Sequence, residues 1–279
     1  MYINLFDSHV HSDNSPEGRD LVTALCSAAV DKGISGICIT DACDMEEFEE
    51  QKYGKRLMYS CFAAHKAQDI FSQQLIVTNG VEMCQPLADP DRAVQVIGEN
   101  RFDFVLGSLH KTRKYGDMMM LNYAHPALDL QDVFRSYYEE LLEVVQWGHF
   151  DSLAHLTYPL RYFEGQHGVQ VDLSRFSGLI DAILSEVIIR GRSLEVNSSG
   201  WRQGMGGPLP GRELLERYRK LGGWRITIGS DAHRTADLAA DFVQTRRLLQ
   251  ELGFAGACHY RAREPIFLPF SAEILPRVI

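Results

Sequence analysis

Two pairs of metal-ligand side chains lie near opposite ends of the chain, and one residue separates the members of each pair. His9-Val10-His11 carries two imidazoles, and Asp231-Ala232-His233 carries a carboxylate and an imidazole. Residues two apart on an extended backbone project to the same side, so each pair can offer both donors to one ion. Mixed imidazole and carboxylate sets suit Zn, Mn or Fe, whereas Mg and Ca prefer oxygen ligands. The spacing therefore favours a transition-metal site.

Three more side chains of the same types occur singly: Glu82, His110 and His155. Each has an ordinary explanation on its own, because a lone histidine is often solvated or hydrogen-bonded in the core and a lone glutamate is usually exposed. With the two pairs they form the composition of a multinuclear hydrolytic centre, in which one carboxylate is shared between two ions. The joint pattern predicts that chemistry more strongly than any member does.

The elements that must position these donors alternate along the chain. Short apolar or β-branched runs predict seven strands, at 3–8, 36–40, 75–82, 102–108, 151–155, 193–197 and 225–230. Longer patterns between them predict helices at 21–32, 56–72, 130–147, 175–190, 211–221 and 238–252. This alternation indicates a mostly parallel sheet. About seven repeats, with no GxGxxG after the first strand, favour a closed barrel over an open dinucleotide-binding sheet.

His9 and His11 follow predicted strand one, and Glu82 ends strand three. His110 follows strand four, and His155 ends strand five. Asp231 and His233 follow strand seven. In an α/β barrel these positions all open onto the C-terminal face, where barrel enzymes place their active sites. We therefore expect an α/β fold, a distorted (β/α)7 TIM-like barrel with its active site at the C-terminal ends of the strands. A single domain over 1–279 is expected, with the Gly/Pro-rich stretch 200–211 as an internal loop. Five glycines are placed to cap helix C-termini in the left-handed conformation: Gly33, Gly148, Gly191, Gly222 and Gly253.

The motifs resemble the polymerase-and-histidinol-phosphatase (PHP) family of metal-dependent phosphoesterases. They occur in family order and span nearly the whole chain: Asp7-Ser-His-Val-His11, Gly80-Val-Glu82, Gly107-Ser-Leu-His110, Asp151-Ser-Leu-Ala-His155 and Gly229-Ser-Asp-Ala-His233. The chain length, the segment 194–200 and the Tyr137-Tyr138 pair are similar to the free-standing histidinol-phosphate phosphatases rather than to a polymerase-attached domain. The family fold, a distorted barrel of seven strands and helices, agrees with the element count.

The resemblance implies a centre of three metal ions. It implies that the first ion is held by His9, His11, Glu82 and Asp231. It also implies that the second shares Glu82 and adds His110 and His155. The third would use His233 and a carboxylate shortly after the first histidine pair, best matched here by Glu17 with Asp13 as its rival.

The third ion would also need a histidine after strand two, and this chain has Ala42 at that place, in Ile39-Thr-Asp-Ala42. Three interpretations remain open. Water, Asp41 or Asp44 fills the site in a naturally diverged enzyme; the alanine was introduced to trap a substrate complex; or the protein is a degraded enzyme that binds two ions and turns over poorly. We therefore expect two or three divalent Zn, Mn or Fe ions.

The activity implied is hydrolysis of a small phosphomonoester by in-line attack of an activated water, without a covalent enzyme intermediate. His233 or a metal-bound water is the candidate proton donor to the leaving alcohol. Arg161 and Arg202 lie in the loops after strands five and six. A planar guanidinium suits bidentate phosphate contact, so both are candidate phosphate ligands, although position alone fits solvated arginines equally well. The resemblance favours Arg202 first and Arg161 to a lesser extent.

Composition limits the partners. The net charge is −9, from 28 Lys plus Arg against 37 Asp plus Glu, and no basic stripe occurs, so no nucleic-acid polymer is expected. No apolar run approaches the roughly 20 residues that span a bilayer. The N-terminal segment carries no signal-peptide core, and the six cysteines are scattered without CxxC pairs. These features predict a soluble cytoplasmic protein that does not bind a membrane.

Three functions remain to be separated. The first is hydrolysis of L-histidinol phosphate to L-histidinol and phosphate in histidine biosynthesis. The second is a phosphoesterase acting on nucleotides or oligonucleotide ends, since related PHP proteins use such substrates. The third, prompted by Ala42 alone, is a metal-binding protein with impaired activity. The oligomeric state does not follow from the sequence.

Overall fold

Seven strand positions pair in parallel and curve into a nearly closed barrel in the computed structural model, which describes residues 3–123, 125 and 127–270. The strands are β1 (Ile3–Val10), β2 (Ile34–Ile39), β3 (Ala42–Asp44), β4 (Ile76–Cys84), β5 (Phe104–Ser108), β6 (Lys111–Thr112), β7 (Gly116–Asp117), β8 (Ser152–Leu153), β9 (Ser193–Asn197), β10 (Ile226–Gly229), β11 (Gly256–Arg261) and β12 (Glu264–Pro269). The barrel order is β1-β2-β4-β5-β8-β9-β10, and β3 also pairs with β4. The predicted fold class is confirmed.

β2 and β3 are two parts of one interrupted strand position. Ile39 pairs with Asn79 and Ala42 pairs with Glu82, so the register along β4 is the same before and after the interruption. Thr40 and Asp41 lie between the two parts and belong to neither, although their backbones still bond to Val10 and Glu82. This interruption places Ala42 beside the predicted ligand Glu82.

The barrel closes where its first and last strands carry the two ligand pairs. The backbone N–H of His11 donates to the carbonyl of Ala232 at 2.8 Å, and the N–H of Asp231 donates to the carbonyl of His9 at 2.9 Å. Val10 and Ala232 form an isolated parallel bridge at the same level. Closure therefore brings together two motifs that are more than 200 residues apart in the chain.

Helices cover the outside of the barrel: α1 (Val22–Lys32), α2 (Tyr53–Phe71), α3 (Pro90–Asn100), α4 (Leu130–Trp147), α5 (Ser177–Ile189), α6 (Ser199–Arg202), α7 (Arg212–Lys220) and α8 (Phe242–Glu251). Their apolar faces pack on the strands in a core that includes the fully buried Tyr137 and Tyr138. The five glycines expected at helix C-termini all have positive φ, between 65° and 95°. None of the helices in the described ranges is long and apolar enough to cross a bilayer.

The sequence did not predict α3, the strand pairs β11–β12 and β6–β7, or the short elements β3 and α6. α3 starts at Pro90, after an Asp89 side chain that accepts the N–H of Arg92 and caps the helix. The antiparallel pair β11–β12 packs beneath the barrel, where Cys258 and Tyr260 join a buried cluster with Phe104. The small hairpin β6–β7 follows His110 above the barrel mouth.

Candidate metal centre

The first group of ligand atoms forms where β1 meets the loop after β10. The Nε2 atoms of His9 and His11 are 3.0 Å apart. They lie 3.7 and 3.6 Å from Oδ1 of Asp231. All three side chains are buried, and His233, the other member of the second pair, is not part of this group.

Glu82 joins this group to a second one. Its Oε2 lies 3.7 Å from Nε2 of both His9 and His11. Its Oε1 lies 3.3 Å from Nε2 of His110 and 3.0 Å from Nε2 of His155, which are themselves 3.3 Å apart. One carboxylate therefore offers an oxygen to each group, which is the arrangement of a bridging ligand.

These separations fit metal coordination. Zinc bonds of about 2.0–2.1 Å in a tetrahedron set donor atoms roughly 3.3 Å apart. The separations in both groups, 3.0 to 3.7 Å, lie around that value. Imidazole and carboxylate donors also match the transition-metal preference expected from the sequence. Among the residues that the structure describes, the two sets of three or more mutually close ligand atoms are His9-His11-Asp231 and Glu82-His110-His155.

The backbone at the barrel mouth is specialised for holding these donors. His155 and Asp231 have positive φ, 22° and 55°, although neither is glycine. Such conformations are costly and persist where surrounding contacts impose them. One of those contacts comes from Asp7, whose carboxylate accepts the N–H and hydroxyl of Ser230 and the N–H of His9. This explains why Asp7 and Ser230 accompany the ligands in the motifs.

The charges of the two groups are strongly coupled. Burial opposes ionisation of Glu82, yet His110 and His9 hold its pKa well below the usual value. Burial also opposes ionisation of Asp231, but His9 and Arg161 lower its pKa. Burial lowers the pKa of His11 and of His155. Against the effect of burial, Glu195, Asp231 and Glu82 raise the pKa of His9, and Glu82 raises that of His110. Metal ligation requires ionised carboxylates and neutral imidazoles, so an ion would have to displace protons from His9 and His110.

The third predicted ion has fewer donors. Nε2 of His233 lies 3.7 Å from Oε2 of Glu17, whose side chain is 70% exposed. The ring of His233 stacks on that of His11 at 4.3 Å between centroids. Ala42, Glu17 and His233 line one cavity, but Ala42 offers no side-chain donor. Asp13 is exposed and does not line this cavity.

The two carboxylates considered as substitutes for a histidine at position 42 are occupied elsewhere. Buried Asp41 accepts the hydroxyls of Ser12, Ser15 and Ser60. Asp44 forms an ion pair with Lys111 at 3.2 Å and accepts a backbone N–H. Neither carboxylate belongs to a group of converging ligand atoms in the described chain.

A cavity of about 320 Å³ opens above both groups. Arg161 lines it, and its Nη2 donates to Oδ2 of Asp231 at 3.0 Å. Its guanidinium also lies 4.5 Å from the ring centroid of Tyr158. The hydroxyls of Tyr158 and Tyr162 are 2.8 Å apart. Arg202 is exposed, donates to the backbone carbonyl of Asp231 at 2.9 Å, and does not line the cavity.

Sequence reasoning missed one buried carboxylate, Glu195 on β9. Its Oε1 lies 2.7 Å from Nδ1 of His9, on the side of the ring away from the ligand group. The available signal was a glutamate inside a strand that reads Leu194-Glu-Val-Asn197, since an ionisable residue in a buried strand needs a partner. The partner is distant in sequence, which is why the pattern alone did not identify it.

The sequence is similar to those of proteins named as histidinol-phosphatases. The chain is similar to a probable histidinol-phosphatase of Thermotoga maritima, 27% identical over 90% of this chain and 93% of the relative. It is 26% identical to a histidinol-phosphatase of Lactococcus lactis, over 89% of this chain and 91% of the relative.

A solved structure has the same fold. It is the crystal structure of histidinol phosphate phosphatase from Lactococcus lactis complexed with zinc, L-histidinol and phosphate. The likeness has a TM-score of 0.77 at 21% identity and covers 95% of this chain and 99% of that one. The family model of the PHP domain matches residues 7–199, which is more than half of the sequence. The chain therefore belongs to the PHP domain family.

Proposed function

We propose that this chain is a metal-dependent phosphomonoesterase that hydrolyses L-histidinol phosphate to L-histidinol and phosphate. The observation that carries the proposal is the carboxylate of Glu82, which offers one oxygen to each of two ligand groups at the base of a cavity. The names of the relatives from Thermotoga and Lactococcus support the substrate. The zinc, L-histidinol and phosphate named for the Lactococcus structure support the same activity.

We propose that two ions bind, with zinc as the first candidate and Mn or Fe as alternatives. His9, His11 and Asp231 would hold one, His110 and His155 the other, and Glu82 would bridge them. Such ions supply Lewis acidity at the phosphoryl oxygens and a water nucleophile of lowered pKa. Glu17 and His233 are two donors of an incomplete third site, because position 42 carries alanine.

The chain's own residues would bind and orient the phosphate. Arg161 is the first candidate because its guanidinium is held in the cavity wall by Asp231 and Tyr158. Its Nε is buried without a hydrogen-bond partner among the described residues, so it retains donor capacity. Arg202 remains a second candidate, and its contact with the Asp231 carbonyl would support the ligand loop from outside the cavity.

His233 is the proposed proton donor to the leaving alcohol. Its Nδ1 lies 3.1 Å from the Asp231 carbonyl, which fixes the ring and directs Nε2 toward Glu17 at the cavity edge. The ring is one-third exposed, so it can exchange protons with solvent after each turnover. With the third site incomplete, Nε2 is not committed to a shared metal.

The outer part of the cavity suits a cationic leaving group. Glu17 and Asp117 line it, and the ammonium of Lys111 is already paired with Asp44 and Glu47. L-Histidinol carries a primary amine and an imidazole. A nucleotide with further phosphates would bring negative charge to this acidic rim, which disfavours the nucleotide alternative.

We also propose that the whole chain acts as one domain in the cytoplasm. The main core is continuous from Leu5 to Phe270 within the described residues. The six cysteines are free, as in a reducing compartment.

The test compares kcat/KM for L-histidinol phosphate, mononucleotides and p-nitrophenyl phosphate after loading with Zn, Mn or Fe. We expect L-histidinol phosphate to be preferred over every nucleotide. Equal or higher kcat/KM for a nucleotide would contradict the substrate assignment. Absence of metal-dependent hydrolysis of all three would support the impaired-enzyme interpretation.

A further inference from the structure

Glu195 lies behind both ligand groups and contacts each of them with a different oxygen. Its side chain is fully buried on β9. Oε1 is 2.7 Å from Nδ1 of His9, and Oε2 accepts the backbone N–H of His155 at 2.7 Å. The side-chain amide of Asn197 also donates to Oε2, at 3.2 Å. Each oxygen of the carboxylate therefore has at least one hydrogen-bond partner.

The contact with His9 decides which of its ring nitrogens can bind an ion. Nε2 of His9 faces His11 and Asp231, so an ion in that group would bind Nε2. A neutral ring that binds an ion through Nε2 carries its proton on Nδ1, which donates it to Oε1 of Glu195. Carboxylate partners of this kind fix the tautomer and orientation of ligating histidines.

The contact with His155 acts on its backbone. His155 has a positive φ of 22°, an uncommon backbone conformation for a residue other than glycine. Oε2 of Glu195 accepts the N–H of His155, which stabilises the conformation that presents Nε2 to Glu82 at 3.0 Å. One buried carboxylate thus orients a side chain in the first group and a turn in the second.

The neighbouring strand leaves space for this arrangement. A Cβ atom placed on Gly229 of β10 would lie 2.4 Å from Oε1 of Glu195 and 2.4 Å from Cβ of His9. Real side chains do not tolerate such separations, so any larger residue at 229 would displace one member of the pair. Gly229 is therefore part of the cradle that lets Glu195 reach His9.

We propose that Glu195 is a positioning residue that couples the two metal sites, setting the tautomer of His9 and the backbone conformation of His155. The role rests on the proposed metal centre and is independent of which phosphate ester is hydrolysed. The role is similar to that of Glu82, whose two oxygens face the two groups of ligand atoms directly. Glu195 contacts His9 and His155 from the side away from those ligand atoms.

The test is the isosteric substitution Glu195→Gln, with zinc affinity measured by competition against a chromophoric chelator. An amide cannot satisfy both partners. If its oxygen faces His9, its NH₂ opposes the N–H of His155; if its NH₂ faces His9, that ring must take the tautomer whose Nε2 is protonated. A residue that only fills space would tolerate this change.

Asp151→Asn is the matched control. Asp151 is also a buried carboxylate, and it accepts the N–H of Val105 at 2.8 Å and pairs with Arg263, beneath the barrel and away from the ligands. We expect Asp151→Asn to lower Tm and to leave zinc affinity unchanged. We expect Glu195→Gln to weaken zinc binding by about 10–100-fold, as losses of such outer partners do.

The outcomes are distinct. Parent-like zinc affinity in a folded Glu195→Gln protein would overturn the positioning role alone. A parent protein that binds no zinc would overturn the proposed function together with it. If Glu195→Gln does not fold, nitrogen-15 NMR of the zinc-loaded parent decides: coordination of His9 through Nε2 with a protonated, exchange-protected Nδ1 supports the role, and coordination through Nδ1 overturns it.

Discussion

Ala42 lies directly beside Glu82 in the parallel ladder between β3 and β4. Adjacent strands are about 4.8 Å apart, so side chains at paired positions are immediate neighbours on one face of the sheet. The position without a donor therefore borders the carboxylate that joins the two ligand groups. Glu17 and His233 line the same cavity.

Restoring a donor here should change metal content. We expect Ala42→His to raise the ion count from two toward three, because the new imidazole would join Glu17 and His233. We also expect a higher turnover, since a third ion adds positive charge for the phosphate and a metal-bound water would replace His233 as proton donor. Elemental analysis of the purified protein and steady-state kinetics measure both effects. Ala42→Leu is the control, because it adds volume without a donor; equal metal counts in the His, Leu and parent proteins would contradict the assignment.

The first ligand group should act as a unit. Replacing His9 by alanine removes one imidazole and leaves His11 and Asp231 without a complete shell, so the ion at that group should be lost. Activity should fall by several orders of magnitude while the circular dichroism spectrum keeps the parent shape. His65→Ala, on the exposed face of α2, is the control and should keep parent metal content. Normal turnover with metal retained in the His9→Ala protein would disprove this ligand set.

The two arginines should differ in their effects. Arg161 lines the cavity, so Arg161→Ala should lower kcat/KM by roughly 10–150-fold, the equivalent of the 1.5–3 kcal/mol typical of a charge-assisted contact. Arg161→Lys should recover part of the loss, because it keeps the charge without the planar fork. Inorganic phosphate should also inhibit the Arg161→Ala protein less strongly, so its inhibition constant should rise in parallel.

Arg202→Ala is the comparison for that experiment. Arg202 contacts the Asp231 carbonyl and lies off the cavity, so its removal should cost less than removal of Arg161. Larger losses in kcat/KM and phosphate affinity for Arg202→Ala would reverse the order and make Arg202 the principal phosphate ligand.

Much of the centre could be predicted because its information is local. A ligand pair two residues apart on a strand constrains its own geometry, and strands that alternate with helices place their carboxyl ends on one face. Those two rules placed His9, His11 and Asp231 at the barrel mouth, whereas the assignment of residues to particular ions came from the family resemblance. The capping glycines are equally local, since a left-handed residue after a helix favours glycine.

What the sequence did not reveal depends on distant partners. Glu195 meets His9 only after the barrel closes, and no spacing rule links those two positions. Asp41 looked available as a metal ligand, yet the hydroxyls of Ser12, Ser15 and Ser60 surround it. The family resemblance favoured Arg202, and the proposed ranking of Arg161 first required the loop conformations, because both arginines follow barrel strands at similar distances in sequence.

His259 lies on β11 and belongs to neither group of ligand atoms. It is 4% exposed and stacks on Phe6 at 4.4 Å between ring centroids. Its Nδ1 has no hydrogen-bond partner within the described residues. Burial, with a smaller contribution from Arg261, lowers the pKa of His259 to about 4. Folding therefore favours the neutral ring.

Acid should consequently destabilise the protein through this residue. An unfolded histidine has a pKa of about 6.5, so between pH 6.5 and 4 the unfolded chain binds a proton that the folded chain does not. The stability that the neutral ring contributes is fully present above pH 6.5. As pH falls toward 4, the free energy of unfolding decreases by about 3 kcal/mol because of this residue. His259→Phe keeps an aromatic ring against Phe6 without a titrating group, so its free energy of unfolding should fall less over this range. Urea titrations at pH 7 and pH 4.5, with chelator present so that metal loss does not contribute, measure the difference. His65→Gln should follow the parent, and a His259→Phe protein that loses as much stability as the parent would show that another group controls the acid response.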